Sequence, residues 1–125
     1  MKICLIGSGK FWDEFERMER IFSLRGHCVY SLGNKQHNYE GDVPKEHQED
    51  KFILDGVHMA KIAASDLVYV INRKGYIGES TKRELYAAIA MGKYIQFSYW
   101  NSFVTDVLER LNVDILRVKT SDIHE

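Results

Sequence analysis

Proline occurs once in this chain, at Pro44, and cysteine only twice, at Cys4 and Cys28. So little cysteine rules out a disulfide-stapled scaffold. Both thiols read as buried and reduced, the state expected of a cytoplasmic protein. The five histidines (His27, His37, His47, His58 and His124) are scattered without ligand spacing, so no metal site is expected. An excess of one charge is also missing. The net charge is −1 and there is no basic run, so nothing points to a nucleic-acid polymer or an anionic membrane as partner. No apolar stretch approaches the roughly 20 residues that cross a bilayer. The opening Met1-Lys2-Ile3-Cys4-Leu5-Ile6 stops at glycine and reads as a strand rather than a secretion signal.

What is present is ordinary globular material: 125 residues, 45 % hydrophobic and 28 % charged, enough for one domain (1–125) with its own core. Apolar runs and helical periodicities alternate along it. Lys2–Ile6 reads as a strand. Phe11, Phe15, Met18 and Phe22 then recur at helical spacing, and Arg25-Gly26 closes that helix. His27–Leu32 is a second strand. Residues 33–50 are polar and read as a long loop. Ile53, Val57, Ala60 and Ala64 mark a second helix, and Leu67–Ile71 a third strand. Thr81–Met91 is a third helix, Tyr94–Tyr99 a fourth strand, Phe103, Val107, Leu108 and Leu111 a fourth helix, and Ile115–Val118 a fifth strand. This alternation predicts an α/β three-layer sandwich with a five-stranded parallel sheet in a flavodoxin-like order. In such sheets ligands bind beyond the carboxyl ends of the strands, which here carry Gly7-Ser8-Gly9-Lys10, Gly33-Asn34, Asn72–Ser80 and Tyr99–Asn101.

Gly7-Ser8-Gly9 resembles the start of a dinucleotide fingerprint, but Trp12 stands at the third glycine position and no acidic residue closes the second strand. That argues against a NAD site, and a Walker A loop is absent. What remains is a turn with free amides and a serine hydroxyl, suited to a phosphate or a sugar, or simply a tight connection. Residues 75–84, Gly-Tyr-Ile-Gly-Glu-Ser-Thr-Lys-Arg-Glu, carry more glycine and hydroxyl than a plain loop needs. Thr81 and Glu84 fit a capping box, in which the glutamate reaches back to the cap amide. Ser80 beside Thr81 is redundant for capping, which leaves Glu84 free to be a nucleophile. A carboxylate near a helix start is expected to be ionised. Lys10, Arg73 and Lys74 on the rim hint at an anionic ligand. His58 stands near the helix end that approaches the rim, and Asp66 reads as structural.

Ala64–Ile71, Gly78-Glu79-Ser80-Thr81 with Glu84, Ala87, Ala90, Gly92-Lys93 and the opening Ile6-Gly7-Ser8 resemble the nucleoside 2-deoxyribosyltransferase superfamily, which includes the nucleoside 5'-monophosphate N-glycosidases. The chain is most similar to a subgroup of small bacterial and phage proteins carrying Gly75-Tyr-Ile-Gly-Glu-Ser-Thr81. The resemblance implies cleavage or transfer at the N-glycosidic bond of a (deoxy)nucleoside or its 5'-monophosphate, without a cofactor. Glu84 takes the place of the family's nucleophile, through a covalent glycosyl-glutamate. Gly7, Ser8, Ser80 and Thr81 fall at sugar or phosphate contacts, and Phe11 and Tyr76 would flank the base. Asn72 and Gly78 complete the expected substrate-binding set. Where the family places an aspartate on the helix before the third strand, this chain has His58, a second catalytic candidate that could protonate the departing base or bond a sugar hydroxyl or phosphate. Members also complete their sites from a neighbouring subunit, so a homodimer or higher oligomer is implied, with Tyr99, Trp100 or Asn101 reaching across. The alternative is a non-catalytic module that senses nucleotides with the same pocket.

Overall fold

The computed structural model describes residues 1–32, 45–110 and 118–120. Its strands are β1 (Lys2–Gly7), β2 (Cys28–Tyr30), β3 (Leu67–Ile71), β4 (Tyr94–Phe97) and β5 (Val118–Thr120). They form one sheet in the order β2-β1-β3-β4-β5, with every neighbouring pair parallel. The helices are α1 (Trp12–Leu24), α2 (Gln48–Ala64), α3 (Glu79–Ala90) and α4 (Ser102–Arg110).

Side chains alternate across the sheet with period two, and each set meets different helices. On one face Cys4, Ile6, Val68, Val70, Ile95 and Phe97 pack with Ile62 of α2, Leu85 and Ala88 of α3, and Val104 and Leu108 of α4. On the other, Ile3, Leu5, Leu67, Tyr69 and Ile71 pack with Phe11 and with Phe15, Met18 and Phe22 of α1. These aromatic and apolar residues of α1 are the ones whose spacing predicts the helix. Its end is closed by Gly26, whose φ of +89° lets the His27 amide reach the Phe22 carbonyl at 3.1 Å.

Several boundaries differ from the sequence expectation. β2 is an edge strand of three paired residues rather than His27–Leu32, and Cys28 on it is exposed, whereas Cys4 is buried as expected. β4 stops at Phe97 because Ser98 and Tyr99 turn to bond Asn72. α2 begins at Gln48, inside the stretch read as loop. Ile53, Val57, Ala60 and Ala64 of that helix face solvent, while His58 and Ile62 face the sheet. Residues 33–44, Leu111 and 115–117, and with them most of the expected loop and fifth strand, lie outside the described residues, as do His37 and His124. Among the described residues no helix is long and apolar enough to cross a membrane.

Candidate active site

β1 and β3 are neighbours, and Gly7 pairs with Ile71 at their carboxyl ends. Gly7 has a φ of +154°, and a Cβ there would stand 2.7 Å from the Ile71 carbonyl oxygen, so only glycine lets the chain leave the sheet this close to β3. The next residue, buried Ser8, accepts a hydrogen bond from the Lys10 amide at 3.3 Å and starts a short 3-10 turn, Gly9–Phe11.

That turn delivers an aromatic wall. Phe11 meets Tyr76 edge-on with ring centroids 5.9 Å apart, and the Lys10 ammonium lies 3.4 Å from the Tyr76 ring centroid. A Cβ at Gly78 would touch the Tyr76 hydroxyl at 3.4 Å, so the tyrosine folds over the start of α3. Arg73 lies 4.8 Å from the Phe11 ring centroid. Its guanidinium is engaged by two carboxylates of α1, Asp13 at 2.9 Å and Glu14 at 3.1 Å. The bond from Arg73 holds the Asp13 carboxyl below its usual range. This clasp is absent from the sequence reading, since no local pattern links positions so far apart. It ties the turn after β3 to the start of α1.

Asn72 also differs from its expected role. It is 0 % exposed, its amide NH2 donates to the Tyr99 carbonyl at 2.7 Å, and its Oδ1 accepts from Ser98 Oγ at 3.1 Å and the Tyr99 amide at 2.9 Å. The side chain staples β3 to the end of β4. Asn101 is likewise used within its own chain: its Oδ1 caps α4 through the Val104 amide at 3.1 Å, and its amide group packs where a Cβ on Gly75 would go. Tyr99 and Trp100 are exposed, although the Trp100 indole donates to Thr105 Oγ1 at 3.1 Å.

α3 begins at Glu79 with Gly78 as N-cap and no side-chain cap bond. Thr81 is therefore inside the helix, with its side chain buried, and the capping-box reading of Glu84 is excluded. Ser80 is exposed and accepts from the Arg83 guanidinium at 3.2 Å. Glu84, one turn beyond Thr81, turns inward with 14 % of its side chain exposed, and its Oε2 lies 3.5 Å from Nε2 of His58 on α2.

Both side chains of this pair are buried, and both have shifted pKa values. His58 is buried and hydrogen-bonds the Leu5 backbone carbonyl of β1, while Nε2 has no other partner. Burial pushes the His58 pKa down to about 4, with the Lys61 charge adding to that, against Asp55 and the Leu5 bond. Burial pushes Glu84 up to about 8, helped by the negative Asp55 and opposed by Lys51 and Arg83. At neutral pH both groups are mainly uncharged: Glu84 keeps its proton, and His58 offers a bare nitrogen. The expected ionised carboxylate is thereby corrected. Glu84 sits past the first helical turn, where the helix dipole acts, and desolvation outweighs it. Buried beneath them, the Cys4 thiol is pushed up to about 12, first by burial and then by the Glu84 charge.

The two groups of residues meet through β1. Leu5 holds His58, and two residues further Gly7 and Ser8 lead to the Phe11–Tyr76 wall. Helix α3 links the same wall, at Gly78, to Glu84. Among the described residues no cluster of histidine, cysteine, aspartate and glutamate could hold a metal ion.

The fold is that of the nucleoside 2-deoxyribosyltransferase-like proteins. The 2-deoxyribosyltransferase of Bacillus psychrosaccharolyticus superposes with a TM-score of 0.60 at 20 % identity, over 85 % of this chain and 81 % of that one. The CMP N-glycosidase of Clostridium botulinum also gives a TM-score of 0.60, at 16 % identity, over 97 % of this chain and 87 % of that one. No protein-family model matches the sequence, and no curated protein sequence matches it either.

Proposed function

We propose that the chain cleaves or transfers at the N-glycosidic bond of a (deoxy)nucleoside or its 5'-monophosphate, with Glu84 as nucleophile. The observation that carries this reading is the buried Glu84–His58 pair, set in a fold shared with two enzymes named for such chemistry. Gly7, Ser8, Gly78 and Thr81 line the approach for sugar or phosphate, and Phe11 and Tyr76 flank the base. Self-association belongs to the same reading.

His58 has a defined part in this reading. Nucleophile and acid/base groups of retaining glycosidases stand about 5–5.5 Å apart, on opposite sides of the bond that breaks. His58, at 3.5 Å, is closer to Glu84 than that and leaves no room for the bond between them. It therefore acts on Glu84: Nε2 takes the carboxyl proton, giving a carboxylate beside an imidazolium. The carboxylate attacks C1', the bond from C1' to the base breaks, and the base leaves with the electron pair and takes a proton from water. Water, or a second base, then attacks C1' of the glycosyl ester and releases Glu84 as carboxylate, with the water's spare proton passing to solvent. Return of the first proton from His58 resets the pair. A contact of 3.5 Å is long for a hydrogen bond, as is common before substrate tightens a site.

Incubating the protein with nucleosides and 5'-monophosphates, then separating free base by chromatography, tests this reading. Glu84→Gln is expected to lower base release by at least ~10³-fold, because the covalent route is closed. Unchanged turnover in that variant removes Glu84 as nucleophile. Adding an acceptor base distinguishes transfer from hydrolysis. No base release, together with a melting temperature raised by a nucleotide, favours a sensing module.

A further inference from the structure

The turn after β1 and the turn after β3 meet in a corner of two rings and two cations. The Lys10 amide is held by Ser8 Oγ at 3.3 Å, which turns the lysine stem toward the second turn. Its ammonium lies over the Tyr76 ring, 3.4 Å from the centroid, and 5.6 Å from the centroid of Phe11. The two rings touch edge-on at 5.9 Å, so a base flanked by both has to lie where the ammonium now stands. That place already holds a cation, against the negative face of an aromatic ring. The neighbouring charges agree. Arg73, 4.8 Å from the Phe11 centroid, is paired with both Asp13 and Glu14. One positive charge against two carboxylates leaves that flank of Phe11 net negative.

We propose that this corner selects a base that is itself a cation, as in a pyridinium or N7-alkylated purinium nucleoside, which enters by displacing the Lys10 ammonium into solvent. The proposal rests on the glycosidic reading above and names its substrate class. The chemistry of departure fits that class. Glu84 and His58 stand 3.5 Å apart, and the one proton between them is used to free the Glu84 carboxylate for attack. A neutral base that departs with the electron pair becomes an anion and has to find a proton elsewhere. A cationic base needs none. The Glu84 oxygen bonds to C1', the bond from C1' to the charged nitrogen breaks, and its electron pair cancels the charge on that nitrogen. The base leaves neutral, so the Glu84–His58 pair suffices for the whole first step.

Calorimetric binding to the Glu84→Gln protein, which does not consume its ligand, tests this. The probes are nicotinamide riboside, a permanent pyridinium, and its dihydro form, which has nearly the same shape without the charge. The cation is expected to bind about tenfold more tightly. Binding is the readout because a cationic base also departs more readily in plain water. Tyr76→Phe keeps the ring face and the preference, and Tyr76→Leu loses the preference. Tyr76 is 39 % exposed, so both variants keep the wild-type circular dichroism. Lys10→Met vacates the corner and is expected to strengthen binding of the cation severalfold. Equal affinity for the two forms, no binding of either, or a preference that survives Tyr76→Leu overturns the proposal. Release of neutral bases by the wild type, with no preference for the cation, overturns it and leaves Glu84 its role. A cation preference with no base released from any nucleoside upholds the corner and removes the catalytic reading.

Discussion

Oε2 of Glu84 faces Nε2 of His58 at 3.5 Å, and His58 is held from behind by the Leu5 carbonyl. One proton is thus placed between two groups that both resist charge. The consequences reach stability as well as chemistry.

Glu84 binds its proton more tightly in the folded chain, with a pKa raised from 4.5 to about 8. Its contribution to stability is complete below pH 4.5 and is lost as pH climbs to about 8. His58, lowered from 6.5 to about 4, contributes fully above pH 6.5 and loses that contribution as pH falls to about 4. The slopes oppose each other at mildly acidic pH, and above 6.5 only the Glu84 loss remains. Glu84→Gln removes that loss, so denaturant melts at about pH 9 are expected to show the variant more stable by a few kcal/mol. Parallel pH dependence in the two proteins would contradict the assignment.

His58→Gln takes away the acceptor for the Glu84 proton. With the carboxyl near pKa 8, about one molecule in 100 is already ionised at pH 6 in either protein, so turnover of the variant is expected to rise about tenfold per pH unit up to pH 8, with any loss against wild type greatest on the acid side. Initial rates of base release across pH decide this. An equal loss at every pH would mean that His58 serves the departing base or the fold.

Asn72→Ala removes three hydrogen bonds of a fully buried side chain and leaves the Tyr99 backbone unpaired at the end of β4. A destabilisation of about 2–4 kcal/mol is expected in urea melts. Ser80→Ala, at an exposed hydroxyl bonded to Arg83, is expected to stay within about 0.5 kcal/mol.

Gly7→Ala combines an unfavourable φ with a methyl 2.7 Å from the Ile71 carbonyl, and is expected to cost about 3 kcal/mol or to abolish folding. Gly26→Ala, also at positive φ but with nothing within 4 Å, is expected to cost only about 1 kcal/mol. Thermal melts of the two variants separate the clash from the backbone term.

The sheet was legible where burial is complete: β3 is an unbroken apolar run because both its faces are covered, and α1 shows its core face as aromatic spacing. The sequence singled out Glu84 but did not reveal its protonated state, since Thr81 and Glu84 fit a cap pattern while the chain caps at Gly78 instead. Periodicity found α2 but not which of its faces meets the sheet, because spacing reveals an apolar face without saying what covers it. The Asn72 staple and the Arg73 clasp depend on contacts between residues distant in sequence, and a single sequence carries no signal for either.

The strand order has a kinetic consequence. β1 lies between β2 and β3, yet β3 is made only after α1, β2 and α2 have been passed. Gly7, His58 and Glu84 come from three widely separated stretches, and they become neighbours only when β3 closes on β1. Long-range closures of this kind are slow steps. A refolding chain therefore brings His58 and Glu84 together in the same phase in which the central strand pair forms, and an amino-terminal fragment ending before Leu67 holds His58 without its Glu84 partner.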